Sequence, residues 1–219
     1  MWLTVAAYLF PEAAPRLGRR SLRDFWEARG KAKPFRSSGG TAARDGFPHH
    51  ATQPVAKSMI EIRSATDSDK PAIWQIIKAV ISTGETYVFH PDTSEGEMLD
   101  YWFAAEKHVY VAEESKNIVG TFWLKPNYPG LGSHVCNAAY MVSPDAAGKG
   151  IGRKMAEFSL DEARRLGFKA MQFNFVVKSN TAAVRLWQSI GMEIIGEIPS
   201  AFDHSELGLT NAYVMYRKL

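Results

Sequence analysis

From residue 59 onward, apolar and polar positions fall into short periods that predict the elements. Ile60-Glu61-Ile62-Arg63-Ser64 alternates as a half-buried strand does. Thr66 or Asp67 stands where a helix N-cap belongs, and Ile73, Ile76, Ile77 and Val80 then share one helical face. Residues 82–92 carry no period and read as a loop. Ser94 with Glu97 three residues on is a capping-box pattern, placed before Leu99, Trp102 and Phe103. Residues 109–112 and 118–124 are strands joined by a polar turn through Ser115-Lys116-Asn117, and the Pro- and Gly-rich stretch 125–132 predicts a loop. A strand over 134–142, a loop over 144–152 and a helix carrying Ala156, Leu160 and Ala163 follow, with Gly167 placed to stop that helix. In the strand at 169–177, Met171, Phe173 and Phe175 face one way, and Gln172 and Asn174 the other. Asn180 caps a last helix ending at Gly191, and strands at 194–198 and 212–217 close the chain. The order β-α-α-β-β-β-α-β-α-β-β, without an internal repeat, predicts a single mixed α/β domain over 59–219.

The first 58 residues break with this patterning. Residues 1–10 resemble the apolar part of a leader, but no basic residue precedes them and no clean cleavage site follows. Arg16, Arg19, Arg20, Arg23 and Arg29 suggest a transit peptide, against which stand Glu12, Asp24 and Glu27. Residues 30–57 are Gly, Ser, Pro, His and charge and read as a disordered linker. The expectation is a disordered basic extension, or a start assigned too early, with Met59 as the true first residue. A targeting segment and a functional basic arm are the other readings.

Charge sharpens this division. Residues 1–58 hold ten Lys and Arg against four Asp and Glu, a net of +6, while 59–219 hold sixteen against nineteen, a net of −3. The basic character therefore belongs to the extension, so no nucleic-acid partner is expected for the domain. No apolar run approaches the ~18 residues of a membrane span, so no membrane partner is expected either. A single cysteine, Cys136, excludes a disulfide framework and a cysteine-rich zinc site, no metal is expected, and a reducing, cytoplasmic setting fits.

The stretch that carries chemistry is Gly148-Lys149-Gly150-Ile151-Gly152-Arg153, between a strand and a helix. Glycines allow backbone to approach a ligand, and free N–H groups at a helix start suit a phosphate or pyrophosphate. A Walker A loop fails because Gly150, not Ser or Thr, follows Lys149. A dinucleotide fingerprint fails because Arg153 and Met155 stand where its last glycine belongs. What remains is the x-x-x-G-x-G/A spacing of a coenzyme A pyrophosphate loop. On this motif, and on a second running from Asn180 through Ala183, Leu186 and Trp187 to Gly191-Met192, the whole of 59–219 resembles the GNAT superfamily of acetyl-CoA-dependent N-acyltransferases. The resemblance implies a GNAT-type splayed mixed sheet flanked by helices, with acetyl-CoA as cosubstrate lying between the strands that end near Val142 and Val177. Ala147 departs from the usual Arg or Gln, and Lys149 or Arg153 is left to supply the cation. Trp187 departs from a Tyr that often protonates the leaving thiolate, and an indole has no proton to give.

A closer resemblance, to the L-azetidine-2-carboxylate (proline-analogue) N-acetyltransferases, rests on Ser133-His134-Val135-Cys136-Asn137-Ala138, on Phe173-Asn174 followed by Asn180, and on Trp187. It implies that Asn137 and Asn174 hold a small amine acceptor, an amino or imino acid, and that Asn180 holds the coenzyme. The segment Gly84-Glu85-Thr86-Tyr87-Val88-Phe89-His90-Pro91 resembles the acceptor loop of phosphinothricin-type acetyltransferases. Either Glu85, or water held by Asn137 and Asn174, takes the amine proton. Backbone groups around Tyr140, Met141 and Val142 would pair with pantetheine, an N–H near Met141 receiving the oxyanion. Plainer readings stand beside these. Asn180 is explained as a helix cap, Trp187 as core, His134 and Cys136 as packing, and Glu85 as a solvated carboxylate. An aromatic set, Trp123, Tyr128, Tyr140 and Phe202, favours a small acceptor over a protein N-terminus or lysine. A non-catalytic acetyl-CoA-binding module is the remaining alternative, and a homodimer stays open.

Overall fold

The computed structural model describes residues 59–219. The expectations for 1–58 lie outside the described residues. The observed elements follow the expected order: β1 (Ile60–Ser64), α1 (Lys70–Ile81), α2 (Glu95–Trp102), β2 (His108–Glu114), β3 (Asn117–Pro126), β4 (Val135–Val142), α3 (Ile151–Arg165), β5 (Ala170–Val177), α4 (Thr181–Ser189), β6 (Glu193–His204) and β7 (Gly208–Lys218). Among the described residues seven strands form one sheet in the order β1-β2-β3-β4-β5-β7-β6. Every neighbouring pair is antiparallel except β4–β5. A parallel pair needs a long crossover, and α3 supplies it.

Alternation along the strands divides the core between the two faces of the sheet. Under α1 and α2 lie Ile73, Ile77, Met98, Trp102, Val111, Trp123 and Met141. Under α3 and α4 lie Phe122, Leu124, Cys136, Met155, Leu160, Met171, Phe173 and Trp187. The capping box forms as the spacing required: Ser94 Oγ accepts the Glu97 N–H, and Glu97 Oε2 accepts the Ser94 N–H at 3.1 Å.

Two departures from the sequence reading have physical causes. A register shift against β7 between Phe173 and Val176 inserts a bulge in β5, so Val176 rather than Phe175 continues the Met171–Phe173 face. Phe175 packs instead against Phe202, ring centroids 6.3 Å apart. The last hairpin is also longer than its apolar period. Most of β6 is exposed and its ladder shifts register between Ile198 and Phe202, around Pro199, which has no N–H to give.

Helix α2 is tied to the sheet at Thr121, which is fully buried. Its hydroxyl donates to the Tyr110 carbonyl at 3.0 Å and accepts the Trp102 indole N–H at 3.1 Å. Thr121→Val keeps the shape and orphans the Trp102 indole N–H, while the Tyr110 carbonyl keeps its ladder bond to β3. It should cost about 1–3 kcal/mol, read as a lower urea midpoint at unchanged m-value; an unchanged midpoint would show that this junction carries no stability.

Candidate active site

β4 and β5 are hydrogen-bonded neighbours only at their starts, where Val135 and Cys136 face Ala170 and Met171. Beyond that the strands part. The wedge is aromatic: Trp187 of α4 has its ring 4.9 Å from Tyr140 on β4 and 4.9 Å from Phe173 on β5. The Tyr140 hydroxyl is fixed to Ser159 Oγ of α3 at 2.6 Å. Trp187 is therefore a packing residue that holds two strands apart.

Parting leaves backbone unpaired, and the register says which. Val135 accepts the Asn127 N–H at 2.8 Å, and Ser143, just past β4, donates to Val119 at 2.9 Å. Bonded and non-bonded pairs alternate along an antiparallel ladder. So Asn137, Ala139 and Met141 spend their backbone groups on β3, and Ala138, Tyr140 and Val142 turn theirs toward the cleft. This corrects the expectation for Met141: its N–H belongs to the β3 ladder, and it meets the cleft only through its side chain. The Tyr140 carbonyl accepts the Tyr87 hydroxyl at 2.7 Å. The Ala138 N–H donates to Asn137 Oδ1 at 2.8 Å. The N–H groups of Tyr140 and Val142 remain for a ligand.

A cavity of about 340 Å³ occupies the cleft. Asn137, Met141, Val142, Asn174 and Asn180 all line it, so five expected site residues are brought together. Asn180 Oδ1 caps α4 by accepting the Ala183 N–H at 3.1 Å. Asn174 has a partner that sequence did not suggest. Its Nδ2 donates to Asn127 Oδ1 at 2.7 Å, and its Oδ1 accepts from Asn127 Nδ2 at 3.2 Å and from Gln172 Nε2 at 2.9 Å. This amide pair joins β5 to the segment after β3, just where β4 and β5 begin to part. Tyr87, Phe89, Tyr101 and Trp123 form the aromatic wall. Of the aromatic set expected from sequence, Trp123 and Tyr140 reach the cavity, whereas Tyr128 is exposed and Phe202 is packed on Phe175.

Glu85 is exposed and lies outside the wall, although Thr86, Tyr87 and Val88 after it belong to it. Cys136 is buried, and burial pushes its thiol up to about 12, which removes it as a nucleophile.

The glycine loop turns as its composition requires. Gly148 and Gly150 have φ of +76° and +81°, a region costly for other residues. Gly150 is the N-cap of α3, with no side chain capping the helix and no acidic residue in the first turn. The N–H groups at Ile151 and Gly152 thus stand at the positive end of a 15-residue helix. At Gly152 a Cβ would lie 3.4 Å from Leu186 and 3.9 Å from Val142, so glycine brings this helix start close to the end of β4. Of the two candidate cations, Arg153 is engaged by Ser189 Oγ at 2.8 Å and Glu157 at 3.4 Å, in a separate surface depression. Lys149 is exposed beside the loop.

Comparison with known proteins agrees with this geometry. The acetyltransferase (GNAT) family model matches residues 74–192, and the chain belongs to this family of acetyl-CoA-dependent N-acetyltransferases. N-acetyltransferase aca1 of Schizosaccharomyces pombe is 34% identical over 137 residues, covering 55% of this chain and 66% of that protein. The L-amino acid N-acyltransferase MnaT of Escherichia coli is 31% identical over 147 residues, covering 64% and 83%. Among solved structures, a GCN5-related N-acetyltransferase from Kribbella flavida superposes with a TM-score of 0.70 at 38% identity, covering 73% of this chain and 98% of that one. The chain spans slightly less than two thirds of aca1, and 13% and 40% of two other curated relatives. Among the described residues no helix is long and apolar enough to cross a membrane, and no cluster of His, Cys, Asp and Glu has the makings of a metal site.

If Asn174 acts through its amide pair, Asn127→Ala should reproduce the kcat/KM loss of Asn174→Ala to within about threefold, and the double variant should be little worse than either. Full activity in Asn127→Ala beside a crippled Asn174→Ala would mean that Asn174 meets the acceptor alone.

Proposed function

We propose that the domain transfers the acetyl group of acetyl-CoA to the nitrogen of a small amino or imino acid, of the kind handled by the L-azetidine-2-carboxylate branch. The observation that carries this reading is the cleft itself. It is a cavity of about 340 Å³ with Tyr87, Phe89, Tyr101 and Trp123 on one side and splayed backbone on the other. That volume suits a small acceptor beside a thioester. The likeness to the L-amino acid N-acyltransferase of E. coli, 31% identical over 147 residues, supports it.

In this reading the pyrophosphate rests on the loop of Gly148, Lys149, Gly150, Ile151 and Gly152 and on the first N–H groups of α3, Lys149 supplying the cation. Pantetheine pairs with the cleft-facing groups of β4 about Val142, and Asn180 borders it. Asn137 and the Asn127–Asn174 pair border the acceptor. The amine nitrogen attacks the thioester carbonyl directly, within a ternary complex. The new bond is C–N, the C–S bond breaks, and the proton shed by the amine leaves by water held at Asn137, since Glu85 stands outside the wall. The oxyanion falls to a cleft-facing N–H, that of Tyr140 or Val142. Arg153, already engaged, contributes through the packing of α3. The setting is a reducing cytoplasm, which an inert buried Cys136 fits, and the chain acts on its small substrate as a monomer or homodimer.

Thiol release from acetyl-CoA, followed across amino acids, imino acids, polyamines and an unstructured peptide, should be fastest with a small amino or imino acid. Preference for the peptide would contradict the reading. Gly150→Asp puts a carboxylate and a Cβ where pyrophosphate belongs, and should weaken acetyl-CoA binding roughly 100-fold, about 3 kcal/mol by calorimetry; unchanged affinity would mean that the loop is only a turn.

A further inference from the structure

Of the side chains in the aromatic wall, that of Tyr87 reaches the open edge of β4. Its hydroxyl donates to the Tyr140 carbonyl at 2.7 Å. That carbonyl faces the cleft, so the hydroxyl bonded to it lies in the cleft as well. In a strand the N–H and C=O of one residue point to the same side. The Tyr87 hydroxyl therefore stands next to the Tyr140 N–H, which has no protein partner among the described residues. Two donors from separate elements converge on one residue of β4, and an oxygen placed between them can accept from both.

Attack on a thioester carbonyl gathers negative charge on its oxygen, and donors preset in a water-poor site lower that barrier. The described lining of the cavity holds no Asp, Glu, His, Lys, Arg or Cys. Its other phenols are placed elsewhere. The Tyr140 hydroxyl is bonded to Ser159 on the α3 side, and Tyr101 packs edge-on against Phe89 and Trp123. Burial holds the Tyr87 hydroxyl well above the ordinary phenol range, so it stays neutral and remains a donor. The loop that carries it is pinned at its start. The Ser205 N–H donates to the Gly84 carbonyl at 3.1 Å, and Ser205 Oγ donates to the Thr83 carbonyl at 2.9 Å. Gly84 has φ of +65°, and a Cβ there would come 3.1 Å from Ser205 Cβ. Only the hydroxyl proton has to turn, from the Tyr140 carbonyl to the substrate oxygen. That frees the carbonyl for a pantetheine N–H.

We infer that Tyr87 is a catalytic residue, its hydroxyl and the Tyr140 N–H together forming the oxyanion hole for the thioester carbonyl. The inference rests on the placement of the thioester along β4 proposed above, and does not depend on which amine is the acceptor. Tyr87 lends a hydrogen bond while the C–N bond forms and the C–S bond breaks. The amine sheds one proton to cleft water, the departing thiolate takes one up, and the phenol is unchanged at the end.

Tyr87→Phe keeps the ring and deletes the hydroxyl. It should lower kcat with the best acceptor roughly 100- to 1000-fold, with the Kd of acetyl-CoA changed less than about threefold. An unchanged kcat, or a loss confined to acetyl-CoA affinity, overturns the assignment. A second measurement needs neither acceptor nor turnover. In infrared difference spectra, the stretch of a 13C-labelled thioester carbonyl should fall when acetyl-CoA binds, and fall by less in Tyr87→Phe. An equal fall in both overturns the role of Tyr87 and leaves the thioester on β4. No fall in the wild-type chain with acetyl-CoA bound removes the thioester from β4, and the inference with it. Should Tyr87→Phe fail to fold, the wild-type chain still decides. The ζ-carbon resonance of Tyr87 should move more with acetyl-CoA than with free coenzyme A, and equal movement overturns the role.

Discussion

The structure turns on a parallel strand pair that is left unfinished. β4 and β5 bond for two residues and then separate. Buried backbone that gives up a ladder must find other partners. Here two side chains take freed backbone groups and one ring fills the space between the strands. Trp187 fills the gap between Tyr140 and Phe173 on the α3–α4 side. The Tyr87 hydroxyl takes one freed carbonyl, and the Asn137 side chain takes one freed N–H. The N–H groups still without protein partners, at Tyr140 and Val142, are where an extended ligand can complete the sheet. In the proposed reading this makes the fold and the coenzyme site one feature.

The same split sorts the chemistry by side. The face packed by α3 and α4 leads to the glycine loop, where the helix start offers N–H groups and positive potential to an anion. The face packed by α1 and α2 carries the aromatic wall and the asparagines. A thioester in the cleft would meet coenzyme contacts from one face and acceptor contacts from the other, which suits direct transfer without an acyl-enzyme. Cys136, the sole thiol in the sequence, is buried within the α3–α4 face and out of nucleophilic range of any such step.

The grouping of Asn137, Asn174 and Asn180 was implied by the resemblance; local signals in the sequence carried the element order, the Ser94–Glu97 box and the glycine loop before α3. Each depends on spacing or on backbone conformation, which a linear reading captures. What it missed depends on register and on long-range pairing. The β5 bulge that turns Phe175 away from Phe173 is set by β7, some forty residues later. Asn127 lies in a Pro- and Gly-rich stretch that reads as loop, and only the fold brings it to Asn174. The resemblance indicates the segment around Met141, whereas the ladder decides which of its N–H groups face the cleft.

Residue-resolved hydrogen exchange with and without acetyl-CoA tests the unfinished pair most directly. The account predicts strong new protection at the Tyr140 and Val142 amides, and little change at Ala139 and Met141, which the β3 ladder already protects. Equal protection of all four amides, or protection of Met141 alone, would contradict it.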